Sequence, residues 1–302
     1  MSYKVLVLVK PTEEQPALER AAEFARFMPD LQLVLFRVVR EFDEDKLPEL
    51  EQRYTREVSS LMDRYPSVKN YDIKVAFSEE VAKTFCHYAG AKSEHFDLAL
   101  ISANRRNTLK DLFFSPIDSQ IMRSVPIPLL IVKDPQAPQR LSRAIVMAID
   151  FEESNHEKFI DEVLFTASKI FAEHFNGEVH VLNCVPPVHV GLMGGDTNMS
   201  IMMGNVKEET RPAIHTAALY DFADKHGIPR ENCHVAEGRV DEMIPRVCSK
   251  LEARMVCMGT SSREGVLSSF DQSASELVLE QVKGDIFIVN RHVRFDETNL
   301  HN

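Results

Sequence analysis

Five apolar segments of this chain recur in the same order in its two halves, and a chain that repeats its own pattern folds as a repeat. Tyr3–Lys10 (YKVLVLVK) and Ala144–Asp150 (AIVMAID) are short, β-branched and apolar at successive positions. Such runs suit a parallel sheet covered on both faces. The first leads into an amphipathic stretch with Leu18, Ala21, Ala22, Ala25 and Phe27 at helical spacing. The second leads into another, opened by acidic residues and Ser154. The correspondence continues: Leu31–Val39 with Glu178–Val185, Ile73–Phe77 with His234–Glu237, Phe96–Ser102 with Ala253–Gly259, and Val125–Asp134 with Val282–Arg291. Strands alternating with helices predict a doubly wound parallel sheet in each half. The expected domains are 1–134 and 141–292, joined by the proline-rich Asp134–Arg140.

Length agrees, since 302 residues suit two domains of about 100–200 residues each. A formal net charge of −11 argues against an extended nucleic-acid surface, which needs clustered Lys and Arg. No apolar run approaches the length of a membrane span. The first apolar run is too short for a signal peptide and lacks a small-residue cleavage site. These features predict a cytoplasmic protein that engages neither nucleic acid nor membrane. Cys86, Cys184, Cys233, Cys248 and Cys257 form no metal-type spacing and read as reduced, packed thiols.

In a doubly wound sheet, ligands bind beyond the carboxyl ends of the strands. That directs attention to Lys10 and Ser102 in the first half, and to Asp150 and Gly259 in the second. After Gly259 runs Thr260-Ser261-Ser262-Arg263-Glu264-Gly265, with Gln272-Ser273 before a helix. Glycines let backbone approach an anion, and a helix N-terminus presents free N–H groups to it. The alternative is structural: Ser273 caps the helix and Gly259 turns the chain. No nucleophile elbow, HExxH, Walker loop or kinase signature is present. His87, His156, His180, His189 and His215 have surface or packing explanations. The expectation is a protein without catalytic residues and without a metal.

These residues resemble the universal stress protein family, whose nucleotide-binding members carry G-x2-G-x9-G-[ST] after strand four. Asp150 stands where that family places an adenosine-contacting Asp, and Val185 where it places a Val at the end of strand two. GTSSREG is similar to the family's GTxGRxG loop, and Gly238, Asp241, Glu242 and Ile244 fit its pattern after strand three. The two-copy arrangement looks most like the tandem, E-type members. The resemblance implies two Rossmann-like (adenine nucleotide alpha hydrolase-like) α/β domains, each a five-stranded parallel sheet with helices on both faces. It implies a ligand set of Asp150, Val185, Gly259, Thr260, Ser262, Arg263, Gly265, Gln272 and Ser273, with ATP or AMP as ligand. Roles in survival of DNA damage, oxidative stress or growth arrest are implied as well, as are roles in adhesion and motility.

The departures are specific. Ser262 and Gln272 replace two motif glycines in the second half. In the first half Ser102, Arg105 and Ser115 replace all three, Pro116 replaces the hydroxyl residue, and Lys10 replaces the Asp. An ammonium has no acceptor and Pro has no N–H. Hydrogen bonds to a charged group contribute about 1.5–3 kcal/mol each. Losing two weakens a micromolar site by about 10²–10⁴, so the first half is not expected to bind ATP. Arg105, Arg106 and Lys110 read either as an anion holder at that degraded site or as a solvated loop. In the second half an insertion, Pro186–Asn205, brings Met193, Met199, Met202 and Met203 with four glycines. It reads either as ordinary packing or as a lid over a ligand more apolar than ATP. Single-domain relatives dimerise through their last strand. Leu129–Val132 and Ile286–Val289 are therefore expected to pair, making the two halves an internal pseudo-dimer, with homodimerisation and an unknown protein partner left open.

Overall fold

The computed structural model describes residues 3–103, 115–133, 142–151, 155–185, 211–260, 274–290 and 293. Contacts divide the chain into two units, Met1–Leu141 with Met258–Asn302, and Ser142–Cys257.

In the first unit the strands are β1 (Lys4–Leu8), β2 (Gln32–Val39), β3 (Tyr71–Phe77), β4 (Leu98–Ser102), β5 (Leu129–Val132) and β10 (Asp285–Asn290). Their order is β3-β2-β1-β4-β5-β10. Helices α1 (Pro16–Phe27), α2 (Leu47–Met62), α3 (Val81–Ala89) and α4 (Pro116–Ser124) connect the first five, and β1 to β5 pair in parallel. Successive side chains on β2 show why these strands read as apolar at every position. Phe36 stacks on Tyr88 of α3 with ring centroids 4.5 Å apart. The next residue, Arg37, points the other way, 5.7 Å from the Tyr54 ring of α2. Helices therefore cover both faces.

β10 pairs antiparallel with β5, Ile286 opposite Ile131 and Ile288 opposite Leu129. The expected pairing of the two halves' last strands is thus present. Beside it lies a buried charged network that sequence patterning did not anticipate. Arg20 of α1, 2% exposed, donates from Nε to Asp285 Oδ2 at 2.7 Å and also pairs with Glu23. The other Asp285 oxygen accepts the Lys133 backbone N–H at 3.1 Å, and the Lys133 ammonium donates to the Val282 carbonyl. Asn290, at the far end of β10, donates to Met122 O and Val125 O at 3.1 and 2.6 Å. Both ends of β10 are thus held by buried polar groups.

Burial holds the Lys133 ammonium down to about 8, against the pull of Asp285 and Glu280. Burial pushes the thiols of Cys86, Cys184, Cys248 and Cys257 up to about 12. The signs oppose. Above pH 8 the folded chain binds fewer protons at Lys133 than the unfolded chain, whose lysines titrate near 10.4, so stability rises with pH there. Above about 8.5, where unfolded thiols ionise, the folded chain keeps protons at four cysteines and stability falls with pH. Four thiols outweigh one lysine, so urea midpoints under reducing conditions are expected to fall from about pH 8.5 to about pH 10. A midpoint that holds or rises over that range would contradict the thiol shifts.

The second unit contains β6 (Ala144–Ile149), β7 (Glu178–Val185), β8 (Cys233–Glu237) and the first half of β9 (Met255–Thr260). Their order is β9-β6-β7-β8, with β6, β7 and β8 parallel. Helices α5 (Asn155–Phe175), α6 (Arg211–His226) and α7 (Val240–Lys250) precede β7, β8 and β9. All three end alike. Gly177 N–H bonds to Ala172 O, Ile228 N–H to Ala223 O and Ala253 N–H to Cys248 O, at 2.7–2.9 Å. The intervening Asn176, Gly227 and Glu252 have φ of 49°, 68° and 48°. These are Schellman closures, which return each chain towards the sheet. The remaining helix, α8 (Ala274–Gln281), precedes β10 in the first unit.

One expected core assignment is corrected. In α1 the buried face is Ala17, Leu18, Arg20, Ala21, Ala22 and Phe24, whereas Phe27 is 62% exposed. The buried stripe follows i, i+3, i+4 spacing from Ala17 and Leu18. Phe27, the last residue of the helix, falls beyond the sheet that the rest of the helix covers.

Candidate functional site

In the second unit the strand ends assemble a polar edge. Asp150 directly follows β6 and is exposed, and Val185 closes β7 and is buried. Ile149 lies opposite Asn183, and Val185 opposite Glu237. Gly238 continues the ladder, its N–H bonding to Val185 O at 2.9 Å. Asn183 is fully buried within Val181–Val185, the otherwise apolar end of β7. Its Nδ2 donates to Ile149 O at 2.8 Å, and its Oδ1 lies 2.7 Å from His215 Nδ1. Since the amide nitrogen is committed to a carbonyl, its oxygen faces the ring and Nδ1 carries the proton. Asn183 thereby fixes the peptide that delivers Asp150. Sequence reading missed this pair, although a lone Asn in a run of buried residues, two positions before Val185, was the available signal.

Gly238 has φ 147°, a region that side chains rarely adopt. A Cβ there would also meet Met243 Cγ at 2.9 Å. The next residue, Arg239, makes two 3.0 Å bonds to Asp241, while Ile244 is buried. Cys184, beside Asp150, has its thiol pushed up to about 12 by burial first and by that carboxylate second, so it is no thiolate nucleophile at neutral pH. Gly259 and Thr260 end β9, and Gly259 is half-buried. The further candidates Ser262, Arg263, Gly265, Gln272 and Ser273, and the lid candidates Met193, Met199, Met202 and Met203, lie outside the described residues. So do Arg105, Arg106 and Lys110. Among the described residues no group of three or more His, Cys, Asp or Glu could hold a metal ion.

The first unit's equivalent edge is occupied by its own side chains. Lys10 Nζ donates to Ala103 O at 2.9 Å, reaching from the end of β1 to just past the end of β4. Its backbone is clasped by Gln15, which is 1% exposed. Gln15 Oε1 accepts from Lys10 N–H, and Nε2 donates to Lys10 O and Thr12 O, at 2.6–3.1 Å. Ser102 Oγ accepts the Ala17 N–H at 2.9 Å, capping α1. Ser115 caps α4 in a reciprocal box with Asp118, with Pro116 at the first helical position. Lys10, Ser102, Ser115 and Pro116, which replace the family's ligand-binding pattern here, serve as caps and braces.

The family model described as "Universal stress protein family" matches residues 1–133 and 142–290. The chain belongs to the universal stress protein family. Its two matches make it a tandem universal stress protein with one Rossmann-like α/β repeat per half. Relatives named Universal stress protein E share this likeness. The protein from Photorhabdus laumondii is 26% identical over 199 residues, 64% of this chain and 61% of its own length. A homolog from Haemophilus influenzae is 28% identical over 63% of this chain and 61% of its own. The Escherichia coli K12 protein is 24% identical over 64% and 60%. The matched region thus spans about three-fifths of these universal stress proteins. Two solved structures share the fold. A functionally unknown Pseudomonas aeruginosa PAO1 protein has a TM-score of 0.71 at 21% identity, covering 96% of this chain and 92% of its own. A universal stress protein from Archaeoglobus fulgidus has a TM-score of 0.67 at 14% identity, covering 95% and 98%. No helix among the described residues is long and apolar enough to cross a membrane.

Proposed function

We propose that this tandem universal stress protein is a non-enzymatic, cytoplasmic stress-response factor that acts by sensing a small molecule through its second repeat, by binding a protein partner, or by both. The observation that carries this reading is the contrast between the two repeats at one equivalent position. Asp150 is exposed at the end of β6, and a carboxylate offers acceptors to a ligand's hydroxyl or amine donors. Lys10 offers donors alone and reaches Ala103 O. By the family pattern, Val185, Gly259, Thr260 and the segment from Ser262 to Ser273 complete the ligand set. The ligand is ATP or AMP in one form of the reading. In the other it is a more apolar molecule covered by Met193, Met199, Met202 and Met203.

Native mass spectrometry of the purified chain, followed by denaturing extraction, tests the proposal. A retained small molecule that is lost in Asp150→Ala supports it. ATP or AMP at near-stoichiometric amount makes the second repeat a nucleotide switch. An empty protein with no thermal shift in millimolar ATP leaves a scaffold that binds partners or a second copy of itself.

A further inference from the structure

β7 and β8 each carry a histidine on the face that α7 covers. His180 Nδ1 and His234 Nε2 are 3.1 Å apart, with ring planes 23° apart and centroids separated by 5.3 Å. That centroid distance is nearly the N···N distance plus the two ring radii, and the rings are close to coplanar. The nitrogens therefore aim at each other head-on. A head-on contact needs one N–H and one lone pair. Of the four ring nitrogens at most three can be protonated, so the pair holds one positive charge and excludes a second.

The surroundings are mixed. Glu178, on the same strand as His180, draws a proton towards that ring. Lys250 of α7 opposes charge on His234, as His180 does. Cys233 is the neighbouring titratable group on β8, and the strand positions opposite the rings, Val146 and Leu182, are apolar. Burial is the larger influence on both rings and holds each below the ordinary histidine range. β8 is the outermost strand of its unit, held on one side alone, and it runs into Gly238.

We infer that the His180–His234 pair is an acid-responsive latch: it fastens the edge strand β8 to β7 while carrying at most one positive charge, and a second proton releases it. In the unfolded chain both rings titrate near 6.5. The folded chain binds fewer protons below that value, so the latch's contribution is complete above about pH 7 and is lost as pH falls through the histidine range.

Labelled-histidine NMR counts the protons directly. The wild-type pair is expected to take up one proton between pH 8 and 5 while the fold persists. Over the same range, the exchange protection of the Ala236 and Gly238 amides, which face β7, corrected for intrinsic rates, is expected to fall about tenfold, the change that one pKa unit of linkage produces. His234→Gln removes the excluded proton and is expected to show no such fall, with circular dichroism at pH 7.5 confirming its fold. His180→Gln gives the same readout should the first variant not fold. Two full protons taken up near 6.5 with β8 protection unchanged would overturn the latch, as would an equal loss of protection in both variants.

Discussion

Asp285→Ala is expected to destabilise the first unit by about 3–5 kcal/mol, the range found when one partner of a buried ion pair is removed. The carboxylate serves two partners, Arg20 Nε at 2.7 Å and the Lys133 backbone N–H at 3.1 Å. Arg20, Lys133 and Asp285 are all nearly excluded from solvent. Alanine removes the carboxylate that both buried donors share. Lys133→Met is the informative contrast. It removes a buried charge that burial already disfavours and supplies a flexible apolar chain of similar length, so its effect is expected to be much smaller. Urea denaturation followed by circular dichroism gives both values. A loss below about 1 kcal/mol in Asp285→Ala, the scale of an exposed pair, would mean that water reaches the network and that the Asp285 carboxylate does little to hold β10.

Gly177→Ala is expected to cost about 3 kcal/mol or to leave no soluble protein, the upper end of overpacking effects. A Cβ at this position would stand 1.9 Å from the Arg143 carbonyl oxygen and 2.9 Å from its carbon. Neither atom belongs to a flexible side chain. Relief requires moving the backbone that starts β6, and Ala144 is paired with Glu178 one residue further along. The neighbouring Asn176→Gly is the control, because Asn176 already holds φ 49° and glycine adopts that conformation freely. A thermal melt that shifts in Gly177→Ala but not in Asn176→Gly assigns the effect to the carbonyl contact. Equal melts would show that the β6 start yields.

The strands were legible because parallel strands under two helical layers are apolar at every position. Leu33 to Leu35 and Ile286 to Val289 needed no alternation to be read. Helix ends were less legible. Phe27 was misplaced because periodicity describes a face without saying where the sheet beneath it stops. Arg20, Lys133 and Asp285 are ordinary surface residues in any sequence pattern. Nothing local marks them as buried, since each is stabilised by partners as far as 265 positions away.

The candidate site divides in the same way. Asp150 and Val185 could be named because a family pattern places them at strand ends, and Lys10 because it breaks that pattern. What Lys10 does instead, reaching 93 positions to Ala103 O, follows only from β1 lying beside β4. Asn183 with His215, and His180 with His234, are likewise contacts between strands and helices far apart in the chain. By itself the sequence determined the repeat, the parallel strands and the loss of the first ligand pattern, because apolar runs and short motifs are local and carry their own signal. Tertiary structure alone decided which polar side chains meet, because a hydrogen bond or buried ion pair depends on register and layer, which no single segment contains.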